Sequence, residues 1–151
     1  MQVSSSKDNW EAIKSEYGIS KKDFGRKINF VSDSFKRETI FRDVEHAYVL
    51  ALQDFSKPAV ILAGGVIEEL LRLYLEHKKI PIPRESDNFN GYIETCTNKK
   101  LLKLGISRLS DSVRHFRNIV HLSKENDKKY TISKATAKGA VASIFTIAND
   151  F

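Results

Sequence analysis

The sequence predicts an all-α fold, an up-and-down helical bundle of about four core helices with short accessory helices. Three observations predict it. Apolar residues recur at three- and four-residue spacing along most of the chain. No stretch reads as a convincing strand. Proline and glycine number only 3 and 7 in 151 residues, too few for collagen-like or disordered character. Short connections between the periodic segments make neighbouring helices mainly antiparallel.

The elements follow in order. Residues 8–17, DNWEAIKSEY, form a short amphipathic helix ended by Gly18. Residues 21–33 place Phe24, Ile28 and Val31 at helical spacing. These two make an N-terminal helical extension over 1–33, ahead of a bundle domain over 34–151. A longer helix covers about 34–55, with Ile40, Phe41, Val44, Ala47, Tyr48, Ala51, Leu52 and Phe55 in one stripe. Ser56 stands where it can cap the next helix, with Pro58 in the first turn.

That helix, 58–79, reads PAVILAGGVIEELLRLYLEHKK, and its first half is apolar all round. It is expected to be the central buried helix. Gly64 and Gly65 each cost about 1 kcal/mol of helix propensity against Ala, which predicts close backbone approach by a neighbour. A loop over 80–91 with two prolines follows, then short helices near 91–97 and 98–104. Gly105 is expected to break the chain. A basic helix spans about 107–123. A last helix spans about 133–149, with Ala135, Val141, Ile144, Phe145 and Ala148 inward.

The length suits one domain with one core. No run of 18 apolar residues is present, so no membrane partner is expected. The N-terminal MQVSSSKDNW lacks the apolar region of a secretory signal. The single cysteine, Cys96, cannot form an internal disulfide and is expected to be a small core residue. Together these favour a reducing cytoplasm.

The net charge is +6, and its placement says more than its size. Residues 1–96 hold 14 Lys/Arg and 15 Asp/Glu, whereas residues 97–138 hold 11 Lys/Arg and 3 Asp/Glu. All the excess positive charge therefore falls in one segment. Such localisation points to an anionic partner, phosphate being the commonest; the plainer alternative is a solvated basic surface.

That segment contains RHFRNIVH, Arg114 to His121. On a helix, Arg114, Arg117, Asn118 and His121 are separated by three, four and seven residues and share a face. Val113, Phe116, Ile119 and Val120 cover the flanking arc and can anchor the helix. Such a face can hold a phosphate with arginine forks, orient it with an amide, and move a proton with imidazole. Ribonuclease chemistry needs little more.

Each of these residues has a structural alternative. Arg114 can be a surface charge paired with Asp111 or Asp127. His121 can complete a helix end, and Asn118 a buried network. His115 points away from the line. Glu68 can reach Arg114 or Arg117 and fix its rotamer, or pair with Arg72 four residues on.

A metal is not expected. His115 and His121 are off one face, His46 and His77 are distant, and no Cys or carboxylate sits at ligand spacing. No phosphate loop, dinucleotide glycine motif or nucleophile elbow is present either, so no cofactor is expected.

AVILAGGVIEELLRLYL, followed about 40 residues later by SVRHFRNIVHLSKE, resembles the HEPN superfamily of helical domains over roughly residues 38–149. The family's mark is an Arg, a polar residue, then a His, with four to six residues between Arg and His. Arg114, His115 and His121 match at six, while only three residues separate Arg117 from His121. Which arginine would be catalytic is thus open. The resemblance implies a homodimer that brings two such helices together in a cleft. It implies a metal-independent endoribonuclease of a toxin–antitoxin or antiviral defence system, with RNA and an antitoxin or defence partner. The alternative is a non-catalytic module that binds RNA or protein through the same face.

Overall fold

The computed structural model describes residues 5–119 and 132–151. The chain forms the expected all-α bundle, and the described residues contain no strand. Helix α1 spans Ser6–Tyr17 and is capped by the Ser5 hydroxyl, which accepts the Asp8 N–H at 3.1 Å. It ends at Gly18, whose φ of 71° lets its N–H return to the Lys14 carbonyl. Helix α2 (Lys21–Lys27) starts from a Ser20 cap, and α3 (Ser34–Leu52) from an Asp33 cap. Helix α4 spans Ser56–His77, and a 3-10 turn covers Arg84–Ser86. Helix α5 (Phe89–Asn98) is capped by Asn88, and α6 spans Leu104–Ile119. Helix α7 (Lys134–Ala148) is capped by Ser133.

Helix α4 is the hub, packed against α3, α5, α6 and α7. Val60, Ile67, Leu70 and Leu71 are fully buried there, against Val44 of α3 and Ile144 and Ile147 of α7. Burying each such side chain contributes about 1.5–3 kcal/mol relative to leaving it in water. Helices α1 and α2 join the same core through Trp10, Ile13, Phe24 and Ile28. Trp10 stacks on Phe24 at 6.0 Å, and Phe24 meets Phe41 of α3 and Phe145 of α7 edge-on at 5.8 and 5.6 Å.

Several boundaries differ from the sequence expectation, for physical reasons. Helix α2 stops at Lys27 instead of running to 33. The Arg37 guanidinium, on α3, donates to the Gly25 carbonyl at 2.7 Å and the Ile28 carbonyl at 3.0 Å. It thereby satisfies the Gly25 carbonyl, which the helix end leaves over, and joins the Val31 N–H on the Ile28 carbonyl. Gly25 makes this approach possible, since a Cβ there would stand 2.9 Å from Arg37 Nη2. Helix α3 ends at Leu52, three residues early, and Asp54 turns the chain at φ 63°.

Ser56 does not cap α4. Phe55 occupies the cap position with no side-chain bond, and Ser56 is the first helical residue. Of the two short helices expected near 91–97 and 98–104 only the first forms, as α5; a turn with Lys100 at φ 57° takes the place of the second. Gly105 does not break the chain but falls in the first turn of α6, where N–H groups have no intrahelical acceptor to lose. Ala135 is exposed instead of inward, in the first turn of α7 where Ser133 and Lys134 are exposed too; Ala137 and Ala140 take the inward positions.

The first half of α4 is not buried on every side. Ile61 is 41% exposed and Phe35, across from α4 on α3, is 78% exposed. Between the two helices runs an apolar groove of about 760 Å3, with Ile40, Pro58, Leu62 and Val66 on its walls. Gly65 lines this groove. A Cβ there would meet nothing within 4 Å, so no neighbour approaches closely at Gly65 as the sequence suggested.

Candidate functional site

Helix α6 is held at its beginning by the far end of the chain. The Lys103 N–H donates to the Asp150 carboxylate at 2.8 Å, and the Lys103 ammonium stands 3.9 Å from the other oxygen. An anion at this end complements the helix dipole. One turn on, the Ser107 hydroxyl is hydrogen-bonded to that of Thr97 on α5. Thr97 donates its own proton to the Ile93 carbonyl at 2.8 Å, so Ser107 is the donor between the helices. Ser110 and Val113 face inward and are buried. The helix is therefore fixed to the bundle along the arc of Ser107, Ser110 and Val113.

Arg114 lies at the edge of that arc, with its side chain 26% exposed. Its Nη2 donates to Asp111 Oδ1 at 2.6 Å and its Nε to the same oxygen at 3.2 Å. The pairing with Asp111 that the i,i+3 spacing allowed is thus formed. It uses two of the five guanidinium N–H donors. Asp111 is 57% exposed, so the pair is worth no more than about 1 kcal/mol, and a phosphate can compete with it. His115, the next residue, is exposed. The main chain of Arg117 and Asn118 completes the last turn of α6, while their side chains and the whole of His121 lie outside the described residues. The structure thus places Arg114 on the helix edge and leaves the rest of the expected line unread.

Glu68 sits half-buried on α4. Its charge is one of the influences that raise the phenol of Tyr92. Burial is the largest cause there, followed by the hydrogen bond from Tyr92 to Asp87 at 2.5 Å; together they push the phenol up to about 12. Arg72 is clamped by Glu69 at 2.5 Å and by Glu76 at 3.4 Å. The first of these hydrogen bonds holds the Glu69 carboxyl below the usual carboxylate range. Cys96 is a buried free thiol, and burial pushes it up to about 12. Among the described residues no group of three or more His, Cys, Asp or Glu is placed to hold a metal, and no helix is long and apolar enough to cross a membrane.

A second basic region was missed in the sequence. Lys21, Lys22, Arg26 and Arg37 line a concavity of about 630 Å3 with Asn29 and Phe41. Lys21 and Arg37 both stand over the Phe41 ring, at 5.2 and 5.3 Å from its centroid. The available signal was local: KKDFGRK holds four cations and one acid. It was hidden because carboxylates elsewhere in 1–96 cancel it in any longer window. No family model matches this chain, and neither does any curated protein or solved structure.

Proposed function

We propose that the protein is a HEPN-like RNA-binding helical domain that acts as a metal-independent endoribonuclease. The observation that carries this reading is Arg114. It stands at the half-exposed edge of a helix that is anchored on its other arc, within the segment that holds all the excess positive charge. An arginine so placed can clamp a phosphodiester. In this reading His121 takes the proton of the ribose 2′-hydroxyl and the 2′-oxygen attacks phosphorus. The bond from phosphorus to the 5′-oxygen breaks, and an acid protonates that oxygen, leaving a 2′,3′-cyclic phosphate and a 5′-hydroxyl. Arg114, with Arg117 and Asn118, stabilises the charge on the phosphate oxygens. His115 and Glu68 support the site. A second copy supplies the opposing helix of the cleft, and the setting is a cytoplasmic toxin–antitoxin or antiviral defence system with a partner protein.

The second reading is a non-catalytic module that binds RNA or protein. The ion pair of Arg114 with Asp111 favours it, because a carboxylate already satisfies donors that a transition state would need. One experiment separates the two. Purified protein is incubated with RNA in EDTA and the ends are identified by mass spectrometry. Cyclic-phosphate ends that disappear in His121→Ala support catalysis. Cleavage that persists undiminished in that variant removes His121 from the mechanism. Salt-sensitive binding without turnover, weakened by Arg114→Ala, supports the module.

A further inference from the structure

The concavity of about 630 Å3 over α2 and the start of α3 is lined by donors. Lys21, Lys22, Arg26 and Arg37 bring four cations, Asn29 brings an amide, and no carboxylate lines it. Asp23 beside it meets Arg26 at a loose 3.4 Å, with both side chains more than half exposed. The site is partly built in advance. Arg37 is held by its two bonds to the Gly25 and Ile28 carbonyls, so its guanidinium cannot swing away. Lys21 rests over Phe41. The same two lysines also line a neighbouring concavity of about 440 Å3, with Lys7 and Lys14 on its rim and Glu11 as its one carboxylate. Trp10 forms part of that second wall, and its buried indole N–H has no acceptor among the described residues. The surface thus offers a continuous track of donors beside an aromatic ring.

We propose that this track is a phosphate-binding site and that the phosphodiester backbone of single-stranded RNA occupies it, as a contact separate from α6. A phosphodiester matches it because it carries charge and acceptors and no donors, and because successive phosphates can follow a line of cations. The choice of RNA as the source of the phosphate rests on the function proposed for α6; the phosphate chemistry rests on the pocket alone. Lys22 and Arg26 are exposed and carry no contact that the fold needs, which makes them the residues to change.

The test uses the whole chain and two probes. Inorganic phosphate is titrated while amide NMR signals of Lys22, Gly25 and Asn29 are followed. A labelled oligouridylate is titrated by fluorescence anisotropy across a range of potassium chloride. The double variant Lys22→Glu/Arg26→Glu is expected to keep its helical circular dichroism and melting point, to lose the phosphate-induced shifts, and to bind the oligomer about tenfold more weakly. Its plot of log affinity against log salt should flatten by about 1.4, from two lost contacts at about 0.7 each. The variant Lys78→Glu/Lys79→Glu, with the same change of net charge at the end of α4, is expected to bind almost normally. Oligomer binding that falls equally in both double variants overturns the site. Shifts with phosphate, but oligomer affinity untouched by Lys22→Glu/Arg26→Glu, overturn RNA as the occupant. Affinity that falls in that variant but not in Arg114→Ala upholds the pocket and refutes the function proposed for α6. Affinity that falls only in Arg114→Ala does the reverse.

Discussion

The two basic regions of this molecule are made differently. Around α6 the positive charge is a property of the chain itself: residues 97–138 hold 11 cations against 3 acids, and the same charge would be present without any fold. At α2 the charge is a property of the fold. Lys21, Lys22 and Arg26 come from one short helix and Arg37 from the next, while none of the acids of 1–96 lines the concavity. Counting charge along a sequence detects the first kind and averages away the second. A concave, partly preset cluster also fixes where an anion must sit, which a run of lysines does not.

The sharpest way to break the comparison is to remove the packing beneath the α2 cluster. Phe24→Ala deletes a fully buried ring that touches Trp10, Phe41 and Phe145. It is expected to cost about 3–5 kcal/mol of stability, read by urea denaturation, and to disperse the α2 cluster while leaving the charge density of 97–138 intact. Arg37→Ala is milder. It strips the Arg37 donor from the Gly25 carbonyl and leaves the Ile28 carbonyl with the Val31 N–H alone, and should cost about 1–3 kcal/mol, with fraying at the end of α2 visible in hydrogen exchange.

Alkaline pH acts on both sides of the bundle. Burial is the first cause that pushes the phenols of Tyr17, Tyr48 and Tyr92 up to about 12, from 10.0; neighbouring Glu16 adds to the first two and Asp87 to the third. A folded value above the unfolded one favours the protonated form. The stability this contributes is therefore complete below pH 10 and is lost as pH rises from there through about 12. The ring signals of Tyr17, Tyr48 and Tyr92, followed one by one by NMR, should titrate late and together with unfolding; titration of these three near pH 10 with the fold intact would contradict it.

The smallest expected effect is at Asp111. Asp111→Asn should change stability by no more than about 1 kcal/mol, because the pair it removes is exposed. It should nevertheless raise oligonucleotide affinity several-fold at low salt by freeing Arg114. Unchanged affinity would mean that only the α2 cluster engages the anion.

Much of the architecture was legible because helical spacing directly reports burial. Val44, Ala47, Tyr48 and Ala51 of α3 and Val141, Ile144 and Phe145 of α7 are inward as spaced. What escaped were effects set by residues distant in sequence. The end of α2 depends on Arg37, ten residues further on, and no local pattern announces it. Gly65 misled for the same reason: it draws the eye within an apolar helix yet faces open space, while neighbours close in at Gly25 and Gly91. Of the candidate site, the Asp111 partnership of Arg114 followed from spacing alone. The rest of that line, to His121, lies beyond the described residues.

The bond between Lys103 and Asp150 has a practical consequence. Asp150 is followed by Phe151, whose ring rests on Tyr74 at 4.5 Å and on Phe30 at 4.9 Å. Replacing these two residues would loosen the arginine-bearing rod at its root, 47 positions away. A preparation altered there would look inert for reasons unrelated to its chemistry.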